Sequence, residues 1–277
     1  DGGSGNNNTM TEANWVGDLY PVAGASSVMR FAGSTRLTPS VDYPVDSAFG
    51  SIYFNALASA FTLSGNAMTI HSLIQNDSAN LQTIGNALTL GAGVTANAAS
   101  GNLTLSGIVG GANALTKLGI YTLSMGVANT FSGGLVIREG TVASTANAAS
   151  LGAGSVTLGD SSGSANAHLA FSGAGRTHAN NLTVQAGSSG LSTITNNGNV
   201  SITLSGTVGL GKNLSLSPFG GTSSAITFSG AISGAGELSI NAGSGYAALS
   251  GDNSGYAGNI AVNAATLRLA ATTSLNA

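Results

Sequence analysis

The segment that decides the fold is LTLSGIVGGANALTKLG, residues 103–119. Leu alternates with Thr at its beginning, and a second short run, LTKL, follows after Gly and Asn residues. Alternation with a period of two is typical of a strand that has one buried face, and Gly and Asn favour turns. The segment therefore predicts very short strands that are joined by tight corners.

The same phrase, β-forming residues around Thr or Ala followed by Ser-Gly, recurs along the chain. Its copies, one of them with Met between Ser and Gly, begin at Phe61, Leu103, Tyr121, Leu169, Ile202, Ile226 and Ala247. Two longer similarities join residues 103–119 to 226–243 and residues 131–142 to 256–267, at offsets of 238 − 115 = 123 and 256 − 131 = 125 residues. Similarity at a nearly fixed spacing, carried by short strands, predicts a solenoid.

The type of solenoid follows from the length of these strands. Helical repeats need long runs of helix-forming residues, and propeller blades need longer strands with aromatic signatures, whereas only 5% of this chain is aromatic. We therefore predict an all-β, single-stranded parallel β-helix of about a dozen coils, each of roughly 20 to 25 residues. Residues 1–45 are expected to form an N-terminal cap and the first coils, and residues 46–277 one continuous solenoid.

Composition limits the classes of partner. The 277 residues include 42 glycines and no cysteine, only 6% are charged, and the net charge is −3. A nucleic-acid-binding surface needs a basic patch, and a membrane-spanning helix needs about 20 consecutive apolar residues. Neither pattern is present, so the sequence predicts no nucleic-acid partner and no transmembrane segment. Because 42% of the residues are hydrophobic, the low charge does not indicate disorder.

Residues 114–142, ALTKLGIYTLSMGVANTFSGGLVIREGTV, resemble the autotransporter-associated β-strand repeat family. The matching positions are Leu115, Lys117, Gly119, Leu123, Asn129, Thr130, Phe131, Ser132, Gly133, Gly140 and Thr141. Two extra residues precede Asn129, and Ile-Tyr replaces the family's Gly-Thr at 120–121. Residues 13–39 are similar to the N-terminal region of large bacterial surface proteins. The resemblance implies a right-handed parallel β-helix that is secreted or displayed on the surface of a Gram-negative-type bacterium.

Catalytic patterns are weak. GDSSG, residues 159–163, matches Gly-x-Ser-x-Gly, with His168 or His178 as a conceivable base for Ser161, but a nucleophile elbow needs a helix after the Ser and this chain continues into another strand. Asp42 and Asp46 are the closest pair of carboxylates in the sequence. DGGSGNN at residues 1–7 is an incomplete calcium-binding repeat, and the histidines lack metal-ligand spacing. We predict a non-enzymatic protein without a cofactor or a metal.

The end of the sequence suggests a function. TLRLAATTSLNA, residues 266–277, begins like residues 141–158 but stops within the pattern. It contains no Pro, no charge after Arg268 and no helix-like segment, so it is a poor solenoid cap. Either the natural chain continues, or the last coil is a surface on which the N-terminal coil of the next molecule stacks. We predict an assembly interface that is formed at one end by Leu267, Leu269 and Leu275 and at the other by Asp1 and Trp15, with Trp15 packing an N-terminal cap.

These observations predict an extracellular structural rod. It would stack head to tail into a homopolymeric surface or matrix filament, or serve as the stalk of an adhesin. A carbohydrate-binding or polysaccharide-cleaving β-helix, with surface glycans as partners, is the alternative.

Overall fold

The computed structural model describes residues 3, 5–241 and 243–270. In these residues the regular structure is one short 3-10 helix, Glu12–Asn14, and 28 strands that pair in parallel. The strands stack into a β-solenoid of about 11 turns. The prediction of an all-β, parallel β-helix is therefore confirmed.

The strands are short because each crosses only one side of the coil. The first fourteen are β1 (Gly24–Phe31), β2 (Ser40–Val41), β3 (Ser47–Phe54), β4 (Thr62–Gly65), β5 (Met68–Asn76), β6 (Gln82–Ile84), β7 (Leu88–Leu90), β8 (Val94–Ala98), β9 (Leu103–Leu105), β10 (Val109–Gly110), β11 (Leu115–Leu118), β12 (Thr122–Met125), β13 (Leu135–Ile137) and β14 (Gly140–Ser144). The others are β15 (Val156–Leu158), β16 (Ala167–Phe171), β17 (Arg176–His178), β18 (Leu182–Val184), β19 (Ser192–Asn196), β20 (Ile202–Leu204), β21 (Val208–Leu210), β22 (Leu214–Pro218), β23 (Ala225–Phe228), β24 (Ile232–Gly234), β25 (Leu238–Ile240), β26 (Tyr246–Leu249), β27 (Ile260–Val262) and β28 (Thr266–Leu269).

Three sheets run along the solenoid. The first sheet has the order β1-β3-β5-β8-β11-β13-β15-β18-β21-β24, with β7 and β10 attached beside the first half of β5. The second has the order β2-β4-β6-β9-β12-β14-β16-β19-β22-β25-β27, and the third the order β17-β20-β23-β26-β28. Inward residues of paired strands stack into apolar columns, for example Leu115, Leu135 and Val156.

The turns are not equal in length. In the first sheet, Leu135 pairs with Val156, 156 − 135 = 21 residues on, and Val156 pairs with Leu182, 182 − 156 = 26 residues on. The additional residues include β17, the first strand of the third sheet. The longer turns therefore contribute the strands of the third sheet, which begins at β17 and runs through the second half of the solenoid.

The similar segments of the sequence do not lie on the same sheet. Leu115 pairs in the first sheet, whereas Leu238, its counterpart 123 residues later, pairs in the second. From β11 the first sheet passes through β13, β15, β18 and β21 to β24, and β25 follows β24 along the chain. The offset of 123 residues therefore covers five turns plus one side of the coil. The similar segments share the same order of strands and corners, but their strands belong to different sheets.

Close stacking of corners explains the recurrent Ser-Gly. Gly206, Gly230 and Gly251 follow β20, β23 and β26, and a Cβ atom on Gly230 would overlap the carbonyl oxygen of Gly206 one turn below. A Cβ atom on Gly251 would overlap the carbonyl oxygen of Gly230 in the same way. The corner therefore needs glycine because there is no room for a side chain between successive turns.

Buried asparagines join successive turns. The Asn129 amide oxygen accepts a hydrogen bond from the Val109 N–H (2.8 Å), and its nitrogen donates to the Ser150 carbonyl (2.7 Å). Asn253 makes the corresponding contact with the Ile232 N–H (2.8 Å). Both side chains are buried, so they satisfy backbone groups that water does not reach.

Replacing Asn129 by Leu should lower the free energy of unfolding by about 3 kcal/mol, because it leaves a buried N–H and a buried C=O without partners. The matched control is Asn102→Leu. The Asn102 amide oxygen also accepts a bond from the next turn, the Thr122 N–H at 3.0 Å, but it does so at the surface, where water can replace it. Urea denaturation that gives equal losses for the two variants would contradict the role assigned to Asn129.

Lys117 is buried although its side chain is charged. Its Nζ donates to the carbonyl oxygens of Leu118 (2.8 Å), Gly119 (2.6 Å) and Glu139 (3.0 Å). Burial lowers the pKa of Lys117 to about 8, while the Glu139 carboxylate opposes this shift. The lysine thus closes a corner by satisfying three carbonyl groups, two in its own turn and one in the next.

Candidate functional site: the two ends of the solenoid

The N-terminal end of the solenoid is covered by a folded segment before β1. Asn8 forms a parallel bridge with Ser40 of β2. The Asp42 carboxylate accepts hydrogen bonds from the Met10 N–H (2.7 Å) and the Thr9 hydroxyl (3.0 Å). These contacts attach the segment to the first turn, so this end has the irregular cap that natural solenoids use.

Trp15 lies inside this cap. Its indole N–H donates to the Thr9 carbonyl (2.6 Å), and its ring lies 5.7 Å from that of Phe31. Phe31 in turn stacks on Phe54 of the next turn at 5.4 Å and contacts Phe61 at 5.5 Å. Trp15 therefore closes an aromatic column of the core. The participation of Trp15 in assembly stays a prediction, and its described contacts are with Thr9 and Phe31 of the same chain.

The C-terminal edge is formed by β27 and β28, which stand at the ends of the second and third sheets. Leu267 and Leu269 pair with Ala247 and Leu249 of the preceding turn. The guanidinium of Arg268 lies 3.6 Å from the centre of the Tyr246 ring on the outer surface. Leu267 is half-buried and Leu269 is 50% exposed, whereas Leu249, one turn below, is fully buried. Asp1 and Leu275 lie outside the described residues.

Exposed apolar side chains occur at both ends. Val16, Leu19 and Val22, which precede β1, are 84%, 75% and 76% exposed, and Val262 of β27 is 50% exposed. Exposed apolar groups that lie close together mark interaction surfaces. The sequence pattern does not identify these four residues. Val16, Leu19 and Val22 lie in an irregular segment, and alternation predicts which residues of a strand point inward but not how exposed they are.

The residues of the Gly-x-Ser-x-Gly pattern do not come together. Ser161 is exposed and its backbone N–H donates to the Asp160 carboxylate (2.7 Å). The Nε2 atom of His168 lies 2.8 Å from the Thr195 hydroxyl, and His178 is buried in β17. Among the hydrogen bonds of the described residues, none joins Ser161 to either histidine.

The two neighbouring carboxylates of the sequence have different surroundings. Asp42 holds the cap, and Asp46 lies in a turn at φ 63°, where its N–H donates to the Ala67 carbonyl. Within residues 3, 5–241 and 243–270, no group of three or more His, Asp or Glu residues could hold a metal ion. Helices of the described part are too short and too polar to cross a membrane.

No family model matches this chain, and neither a curated protein nor a solved structure matches it.

Proposed function

We propose that the protein is a non-enzymatic structural rod that assembles head to tail into a filament or stalk outside the cell. The observation that carries the proposal is that Val262 of β27 and Leu269 of β28 are half exposed, although their partners one turn below, Ile240 and Leu249, are fully buried. At the other end, the cap before β1 also carries exposed apolar side chains. The location at the surface of a Gram-negative-type bacterium rests on the resemblance of residues 114–142 to the autotransporter-associated repeat.

The use of the ionisable and amide side chains supports a structural role. Lys117 and Asn129, two marked positions of that resemblance, hold neighbouring turns together. Lys212 does the same in a later turn, where its Nζ donates to the Ser188 hydroxyl (2.8 Å) and the Gly190 carbonyl (2.6 Å). Polar side chains that are hydrogen-bonded to backbone atoms of neighbouring turns make a rod rigid. The same side chains are not available to bind or activate a substrate.

The size of the ends is sufficient for assembly. A coil's end face of roughly 500 Å² per partner reaches the total of roughly 1,000 Å² that a specific interface needs. The two ends of the described residues differ, since one is a folded cap and the other consists of the strands β27 and β28. A contact between them is heterologous, and it produces a filament unless the rotation closes a ring.

Introducing carboxylates at one end should weaken assembly, which sedimentation velocity of the full chain can measure. Val16→Asp/Leu19→Asp alters the cap, and Val262→Asp/Leu269→Asp alters the C-terminal edge. Each double variant should weaken association by about 100-fold, because a carboxylate would be buried in an apolar contact. Leu191→Asp is the matched control, since Leu191 is 66% exposed but lies before β19, away from both ends.

Mixing the two double variants separates head-to-tail assembly from other modes. Each retains one intact end, so a 1:1 mixture should form a heterodimer and no longer species. A cap variant that still dimerises by itself would indicate contact between two C-terminal edges. Wild-type protein that stays monomeric at millimolar concentration would overturn the proposal.

A further inference from the structure

A groove with polar and apolar lining residues lies on the outer side of the first turns, away from β27 and β28. Arg30 of β1 pairs with Tyr53 of β3, and Tyr53 pairs with Gln75 of β5. Their outward side chains therefore stand in a column along the axis of the rod, about 4.8 Å apart. The groove has a volume of about 510 Å³, which is within the usual range for a ligand site.

Connected planar polar groups line the groove or, in the case of the buried Gln75, lie beneath it. The Arg30 guanidinium lies 4.4 Å from the centre of the Tyr53 ring, and its Nη1 donates to Asn55 (3.3 Å). The Tyr53 hydroxyl and the Gln75 amide both donate to the Asp77 carboxylate. Arg30 is exposed and has five N–H groups, so most of its donors face solvent.

The wall of the groove is apolar. It consists of Ala32 and Gly33, which follow β1, and of Ala56 and Leu57, which follow β3. Leu57 is 87% exposed. An apolar wall beside a floor of donors and acceptors suits a ligand with a C–H face and a hydroxyl edge, which is the character of a pyranose ring.

The charged side chains of the groove favour a ligand without a net charge. Arg30 and Asp77 lie two turns apart in the same groove and compensate each other formally, so a strongly anionic or cationic ligand gains little. The spacing of successive turns is close to the length of one sugar residue in an extended β-linked chain. A chain of such residues along the axis would meet Arg30 and Tyr53 on successive turns.

We propose that this groove binds a neutral, extended oligosaccharide, which lies along the rod across β1, β3 and β5. Arg30, Asp77 and Asn55 bind its hydroxyl groups, and Leu57 packs against its apolar face. The proposal gives the carbohydrate-binding alternative a location, and it does not depend on end-to-end assembly, because the groove lies on the side of the first turns.

Calorimetric titration of the full chain with cellohexaose and with chitohexaose tests this inference. At least one of them should bind with a Kd of about 1 mM or lower. Arg30→Gln and Leu57→Ser should each weaken that binding by at least about 10-fold, and Leu191→Ser, at an exposed leucine elsewhere on the rod, should leave it unchanged. Tyr53→Ala provides a third variant, with far-UV circular dichroism as the check that it folds.

Three results would overturn the inference: neither hexasaccharide binds at 10 mM, binding is unaffected by the groove variants, or an anionic saccharide such as heparin hexasaccharide binds instead and more tightly. Sedimentation of Leu57→Ser distinguishes this failure from a failure of assembly. Leu57 follows β3 and does not line the pocket that Arg30 shares with Val16 of the cap, so this variant should leave association through the ends intact.

Discussion

Replacement of Gly230 by Ala should lower the free energy of unfolding by about 3 kcal/mol, because the new methyl group would overlap the carbonyl oxygen of Gly206 in the turn below. The obstacle is backbone, which cannot rotate away as a side chain can. The turn of Gly230 and the turn below it must separate for the methyl group to fit. In a solenoid each turn is stabilised by its neighbours, so the damage should extend to the hydrogen bonds between β20 and β23.

Gly209→Ala is the matched control. Gly209 lies in β21, one turn from Gly230, and a Cβ atom there would meet nothing within 4 Å. We expect this variant to be as stable as the wild type or to gain up to about 1 kcal/mol, since Ala restricts the unfolded chain more than Gly does. Urea denaturation followed by far-UV circular dichroism measures both variants. If Gly230→Ala proved as stable as Gly209→Ala, close stacking would not explain the Ser-Gly corners.

Acidification from pH 6.5 to pH 4 should reduce the free energy of unfolding by about 3 kcal/mol through His178. Burial, and to a smaller extent the nearby Arg176 guanidinium, lowers the pKa of His178 from 6.5 to about 4. The folded state therefore binds the proton at a lower pH than the unfolded state does. The full contribution of His178 is present above pH 6.5 and is lost as the pH falls through the folded pKa. Burial also lowers the pKa of His168, which adds to the effect.

His178→Gln isolates this contribution, because glutamine can still accept a hydrogen bond from the Arg176 guanidinium, which donates to the Nε2 atom of His178 at 3.2 Å. Denaturation of the variant at pH 7, 6, 5 and 4 should show a much flatter dependence on pH than the wild type. Lys117 does not interfere, since its lowered pKa of about 8 affects stability between pH 8 and pH 10.5. An unchanged slope in His178→Gln would contradict the assignment.

The sequence predicts the strands and corners of this protein well because both have a local cause. Alternation of apolar residues with Thr identifies β9 and β20, and Ser-Gly identifies the corners that follow them. The assignment of strands to sheets could not be predicted, since it depends on the lengths of intervening turns. The similar segments around Leu115 and Leu238 consequently occupy different sheets.

The assembly interface stays a prediction, and the sequence identifies only some of its proposed residues. The pattern of apolar residues identifies Leu267 and Leu269 as members of a coil, and Leu269 is half exposed. The role of Trp15 within the cap depends on contacts with Thr9 and Phe31. The exposure of Val16 and Leu19 depends on how that cap folds over the first turn, and no periodicity encodes an irregular segment.

Negative-stain electron microscopy of the natively isolated protein tests the central claim most directly. With turns about 4.8 Å apart, 11 turns and a cap give a subunit roughly 55 to 60 Å long. The proposed function predicts unbranched fibres with an axial repeat of this length, which shorten to single rods in Val262→Asp/Leu269→Asp. Isolated rods of one subunit length at every concentration in the wild type would contradict it.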